Sequence, residues 1–307
     1  MAKARTIDDP GEVLGPAREI DGLLLADAMP RLMVAARRTA ATVLHGLHGR
    51  RRGGPGENFW QYRRFSSGEP ARRVDWRRSA RDQHLYVRER EWEVSHTVWL
   101  WIDRSRSMWY RSSLAEAAKI ERAIVLGLAL GDILVDGGER VGLLGLTRPV
   151  ANRNIISVFA DTLRLKPEDP GLAPTDHLGA RSEVVLVGDF LGPIEETLAH
   201  LNVLAARASR GHLVMIADPI EEVFPFSGRT EFRDPESGLK FIAGRAQDYR
   251  AAYAERLAAH RDAIASRSKA LGWTFVIHRT DRPASEPLLA LHARIGAASA
   301  GTGLGAA

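Results

Sequence analysis

The sequence predicts an α/β protein built on a doubly wound, mostly parallel sheet. Four short apolar runs, TVWLWID (97–103), EVVLVGDF (183–190), HLVMIADP (212–219) and WTFVIHRT (273–280), have the near-continuous hydrophobicity of strands buried on both faces. Amphipathic stretches of helical length separate them, an alternation that lays strands side by side with crossover helices between. Asp103, Asp189 and Asp218 stand at the carboxyl ends of the first three runs, the edge where open α/β sheets gather ligands.

The elements follow in order. Residues 1–19 carry Pro10, Gly11, Gly15 and Pro16 with little periodicity and read as a flexible arm. From Ile20 to His48 apolar residues recur at helical spacing, Leu23, Leu24, Met29, Leu32 and Val43 among them. Pro30 lies near the middle, which predicts one kinked helix or two short ones. HGRRRGGPGE (48–57) breaks structure. ENFWQYRRF (57–65) and HLYVREREWEV (84–94) alternate like strands, with a turn and a short helix in SSGEPARRVDWRRSARD (66–82) between them. Residues 20–94 are therefore expected to form a helical arm with a small β-containing block, and residues 95–298 the α/β domain. Within that domain, 114–136 reads as a long helix, 137–147 as a glycine turn and strand, and 154–165 as a helix. A proline-rich loop (166–182), a helix with a glycine stop (194–211), a small hairpin (229–242), a long helix (246–272) and a final helix (286–295) complete it. Residues 299–307 are low-complexity and read as a disordered tail.

Composition narrows the function classes. The chain has 307 residues, 45% hydrophobic and 26% charged, as soluble globular proteins do. It has no cysteine, which excludes disulfides, zinc–thiolate sites and thiol nucleophiles. MAKARTIDDPGEVLG lacks the apolar core of a secretory signal. AIVLGLALGDILV (123–135) contains Asp132 and falls short of the ~20 apolar residues of a membrane helix. A cytoplasmic location is the expectation. Net charge is +5, with arginine concentrated between Arg50 and Arg90. Glu57, Glu69, Asp75, Asp82, Glu89, Glu91 and Glu93 interleave there, which makes a mixed-sign surface a better reading than a nucleic-acid block.

WLWIDRSRSMWY (99–110) concentrates the chemistry. Its apolar strand ends at Asp103 and continues into Ser105 and Ser107, hydroxyls two residues apart that can face one point. Asp189 is the natural neighbour of Asp103 if their strands flank the switch point of the sheet. Carboxylates and hydroxyls with water suit a hard cation such as Mg²⁺, or Mn²⁺, and leave a position for an acidic residue of a partner. The plainer alternative is a turn in which these oxygens accept from backbone N–H groups. Asp218 before Pro219 reads as a strand-end turn former, and Trp76 as a residue packed on a sheet. The histidines form no H-E-x-x-H pattern, no G-x-x-x-x-G-K-[ST] loop is present, and Ser105 replaces the second aspartate that a D-x-D phosphotransferase needs.

Asp103-Arg104-Ser105-Arg106-Ser107 resembles the D-x-S-x-S signature of von Willebrand factor A domains and their metal-ion-dependent adhesion site, with Asp189 in VGDF resembling the distal aspartate. Upstream, Gly54, Gly56, Glu57, Tyr62-Arg63, Gly68-Glu69, Arg72-Arg73-Val74-Asp75-Trp76 and Ser79-Ala80-Arg81 are similar to the block that precedes such a domain in the bacterial domain-of-unknown-function 58 family. Glu139-Arg140-Val141-Gly142, Gly188-Asp189-Phe190, Arg210-Gly211-His212 and Asp218-Pro219 extend the likeness over residues 20–298. The resemblance implies a von Willebrand A-type domain and a partnership with a MoxR-type AAA+ ATPase. It also implies a threonine ligand, for which Thr175 is the better candidate because Thr162 falls inside a predicted helix. The chain is thus expected to be a non-enzymatic interaction module, an adaptor or co-chaperone acting on an unidentified client. Asp103, Ser105, Ser107, Asp189 and Thr175 would hold Mg²⁺. A degenerate metal-free interaction domain, nucleic-acid binding through the arginine-rich block and a metal-dependent phosphatase are the alternatives.

Overall fold

A computed structural model describes residues 3–6, 17–48, 61–66, 69–81, 84–89, 96–166, 171–179 and 182–301. Along the chain they form β1 (Lys3–Thr6), α1 (Ala17–His48), β2 (Gln61–Arg64), α2 (Trp76–Ser79), β3 (Tyr86–Glu89) and β4 (Thr97–Ile102). There follow α3 (Lys119–Asp136), β5 (Arg140–Leu143), α4 (Ile155–Leu165), β6 (Ser182–Gly188), α5 (Ile194–Ala205) and β7 (Arg210–Ala217). The remainder is α6 (Pro219–Val223), β8 (Thr230–Arg233), β9 (Lys240–Ala243), α7 (Arg250–Ala270), β10 (Thr274–Arg279) and α8 (Ser285–Gly301). The chain divides into two compact units, residues 1–46 with 96–307, and residues 47–95.

The larger unit is built on a five-stranded sheet ordered β10-β7-β6-β4-β5, every pair parallel. This is the doubly wound sheet expected from the sequence. Alternation along β4 explains its two faces. Trp99 and Trp101 join Val184, Leu186 and Leu213 in one core cluster, covered by Leu201 and Leu204 of α5 and Ile264 of α7. On the opposite face α3 packs with α4 and α8. Gly127 lets α3 approach β4: a Cβ there would meet the Ile102 side chain at contact too close to keep. Among the described residues, the sheet continues beyond β5 as an isolated antiparallel bridge between Val141 and Val150.

A second, three-stranded antiparallel sheet runs β1-β8-β9, with Lys3 opposite Arg233 and Arg233 opposite Lys240. Residues 3–6, read from sequence as part of a flexible arm, are therefore a paired strand. Helix α1 is one continuous helix with Pro30 inside it. As far as Gly46 it belongs with the larger unit, so the smaller unit starts at 47 and not at 20. Helix α3 starts at Lys119, five residues later than periodicity suggested; the Ala118 N–H donates to the Glu121 side chain there, closing the first turn. Of the tail expected over 299–307, residues 299–301 are instead the last of α8, and those from 302 lie outside the described residues, as do residues 49–57 of the expected breaker.

In the smaller unit β2 and β3 pair antiparallel. Asp75 caps α2 by accepting from the Arg78 N–H at 3.0 Å, and the Arg78 guanidinium lies over the Tyr86 ring, 4.8 Å from its centroid. Arg63 holds Glu69 through both terminal guanidinium nitrogens, Nη1 and Nη2. Trp76 is 62% exposed, which corrects the expectation that it packs on a sheet. Its place on the first turn of α2 turns it away, and the aromatic packing of this unit comes from Tyr62 and Tyr86 instead.

Candidate functional site

Strands β4 and β6 are neighbours although β5 lies between them in sequence, so the gap between their carboxyl ends is the switch point of the sheet. Ile102 pairs with Val187, and the Asp103 N–H donates to the Val187 carbonyl at 2.8 Å. Asp103 consequently lies across Gly188. A Cβ on Gly188 would stand 2.8 Å from the Asp103 Cβ and 3.0 Å from Oδ2, so glycine is what lets the carboxylate seat there.

The chain then turns back on itself. Ser105 N–H donates to Asp103 Oδ1 at 2.9 Å, and a 3-10 turn over Arg106–Trp109 follows. That turn brings Ser105 Oγ and Ser107 Oγ to 3.1 Å of each other. On the neighbouring strand Asp189 ends β6, and Phe190 after it adopts φ +49°, a left-handed conformation unusual for a bulky residue. The sharp exit lets the Leu191 N–H fold back onto Asp189 Oδ1, while His260 Nε2 bonds the Phe190 carbonyl at 2.7 Å. Asp103, Ser105, Ser107 and Asp189 are thereby gathered at one point, and all are buried.

Sequence reasoning missed a second set of residues here. Lys119, fully buried at the start of α3, places Nζ 2.8 Å from Asp189 Oδ2 and 2.8 Å from Glu221 Oε1. Burial opposes its charge, but the two carboxylates outweigh that and raise its pKa. Burial likewise pushes Asp189 up; Lys119 beside it, helped by the Ser107 side chain, brings it down to about 2. Asp218 accepts from the N–H groups of Ser112 at 2.9 Å and Ile220 at 3.0 Å, and its own N–H donates to Glu221 at 3.0 Å. It caps α6 as the turn former expected from Asp-Pro. The missed residues left faint signals: Lys119 shares a helical face with Ala123, Leu126 and Ala129, where a charge needs a buried partner, and Asp218-Pro219-Ile220-Glu221 has the spacing of a capping box.

Thr175 is not part of this group. Gly171 lies at the site, where a Cβ would stand 3.7 Å from that of Ser105. From there the chain crosses the sheet face: Ala173 packs in the core with Trp99 and Trp101, His177 stacks on Trp99, and the Gly179 N–H reaches Ser182 at the start of β6. Thr175 lies on that descent, its carbonyl accepting from Arg207 after α5 at 3.1 Å. The short loop is spent crossing the sheet, so it cannot return a threonine to the carboxyl edge. Thr162 bonds the Val158 carbonyl within α4. An acid comes instead from Glu236, in the turn between β8 and β9, whose Oε1 accepts from the Ser107 N–H at 2.8 Å.

The donor set suits a small hard cation. Adjacent ligands of an octahedral Mg²⁺ at 2.0–2.1 Å stand about 3 Å apart, which the 3.1 Å between Ser105 Oγ and Ser107 Oγ matches. Among the described residues, the buried carboxylates of this region, Asp103, Asp189, Asp218 and Glu221, outnumber its buried cations, Lys119 and Arg104. No three His, Asp or Glu side chains among the described residues are grouped to hold a metal. An ion here would therefore rest on Asp103 and the two hydroxyls, with Asp189 behind Ser107.

Comparison with known proteins identifies the family. Residues 61–263 match the family described as protein of unknown function DUF58. An uncharacterized protein of Mycobacterium bovis, Mb1516, and one of Mycobacterium tuberculosis, Rv1480, are each 29% identical over 301 residues, covering 92% of this chain and 92% of theirs. Among solved structures, the conserved hypothetical protein BatB from Bacteroides thetaiotaomicron matches 66% of this chain and 100% of its own with a TM-score of 0.39 and 14% identity. An aerotolerance-related membrane protein from Bacteroides fragilis gives 0.37 and 13% over the same shares. No helix among the described residues of the present chain is long and apolar enough to cross a membrane. With the match spanning both the antiparallel block and the strands that carry Asp103 and Asp189, the chain belongs to the DUF58 family.

Proposed function

We propose that this protein is a non-enzymatic interaction module that binds an acidic group of a partner through Mg²⁺ held by Asp103, Ser105 and Ser107, with Asp189 supporting Ser107. The observation that carries this reading is the convergence of those four side chains at the switch point of the sheet, in a region where buried carboxylates outnumber buried cations. The ion supplies charge compensation and one exchangeable position for a carboxylate. Asp103 and the hydroxyls orient it, and Lys119 keeps Asp189 ionised. The resemblance to families encoded beside MoxR-type AAA+ ATPases makes such an ATPase the proposed partner, with this chain as its adaptor.

Calorimetric titration of Mg²⁺ and Mn²⁺ into the protein tests the site. Saturable 1:1 binding that disappears in Asp103→Ala is the expected result. Binding that survives the substitution, or no binding to the wild type, would overturn the metal part. One observation favours a second reading: Lys119 already places a cation against Asp189. In that reading the site is metal-free and its partner contact persists in EDTA.

A further inference from the structure

We propose that Glu236 is an internal occupant of this site: the hairpin tip holds its carboxylate where the site takes the acidic group of a partner, and a partner binds by displacing it. This rests on the reading that the site accepts a carboxylate. Glu236 reaches the site from a different sheet, 129 residues along the chain, and takes the Ser107 N–H at 2.8 Å. Its backbone is shaped for the task. Asp234 accepts from the N–H groups of Glu236 at 3.1 Å and Ser237 at 3.3 Å, and Gly238 supplies the positive φ, +74°, that closes the turn.

Two further observations separate this contact from an ordinary surface hydrogen bond. Asp103, Ser105 and Ser107 are 3%, 8% and 7% exposed, so a partner's side chain cannot reach them while the site is closed. Glu236 itself is exposed, so packing does not fix it there. It also adds a carboxylate to a region already rich in them, a position that is unfavourable unless the N–H, and a cation beside it, hold the charge. A group seated this way is replaceable by another carboxylate at little cost.

The experiment uses the full chain with Glu236→Ala and Glu236→Gln, sodium acetate as the probe and amide hydrogen exchange of residues 104–109 as the readout, in EDTA and in Mg²⁺. The Ser107 amide should exchange roughly tenfold faster or more in Glu236→Ala, from loss of a hydrogen bond to a charged acceptor, with Glu236→Gln between the two. Acetate should restore protection in Glu236→Ala and leave the wild type unchanged, while chloride at equal ionic strength does neither. Unchanged exchange in Glu236→Ala, or acetate acting alike on variant and wild type, would overturn the proposal. Rescue equal in EDTA and Mg²⁺ keeps the internal occupant and removes the metal. Calorimetric Mg²⁺ binding without acetate rescue keeps the metal and removes the occupant.

Discussion

Two buried polar clusters lie at opposite ends of the same parallel sheet. At the amino end Glu183 of β6 is bonded to His212 Nε2 of β7 at 2.6 Å, and His212 Nδ1 to Thr274 Oγ1 of β10 at 2.8 Å, with His96 Nδ1 3.8 Å from the other Glu183 oxygen. That chain links one carboxylate to imidazole and hydroxyl along adjacent strands. At the carboxyl end Lys119 bridges Asp189 and Glu221, yet Asp103 and Asp218 remain beside them and Glu236 arrives from outside. Both clusters tie strands together. The cluster at the carboxyl end gathers the larger number of buried carboxylates, and it is the one that a residue from a second sheet joins.

The largest way to break this comparison is Lys119→Met. Removing the cation leaves Asp189 and Glu221 buried and uncompensated, at an expected cost of about 3–5 kcal/mol; denaturant unfolding measures it, and a loss under about 1 kcal/mol would show that the carboxylates have other compensation. Acid sharpens it next. Asp189 is depressed from 3.8 to about 2 in the folded protein, so between those values the unfolded chain binds the proton and the folded one does not. Its stabilisation is present above about pH 4 and is lost as pH falls towards 2, a difference of about 2 kcal/mol. Subtracting the unfolding profile of Asp189→Asn from that of the wild type isolates it, and a difference that did not shrink over that window would contradict the assignment. The smallest effect is expected at the amino end. Glu183→Gln keeps an acceptor for His212 and should cost roughly 1 kcal/mol, while Mg²⁺ titrations remain those of the wild type. A variant that altered them would mean the two ends are coupled through the sheet.

Much of the site was legible before the fold. Asp103 and Asp189 announce themselves because each ends a buried apolar run, and a parallel sheet aligns such ends at one edge. Ser105 and Ser107 follow from their spacing. Thr175 was misplaced because a threonine in a loop carries no record of where the loop travels, and this one is spent crossing the core beneath Trp99 and Trp101. Trp76 was misread because an aromatic residue in a charged segment does not disclose which way a one-turn helix faces.

Local pattern by itself determined the strands, the helices between them and the places of the two aspartates at strand ends. Periodicity and strand-end chemistry are properties of neighbouring residues, and they are written in sequence order. Tertiary structure alone decided that Lys119 neutralises part of that acidity while Glu221 adds to it, that β1 joins the second sheet, and that Glu236 seats itself on Ser107 from 129 residues away. Those contacts join residues distant along the chain, and their geometry is set by the packing of whole elements rather than by the pattern of any one of them.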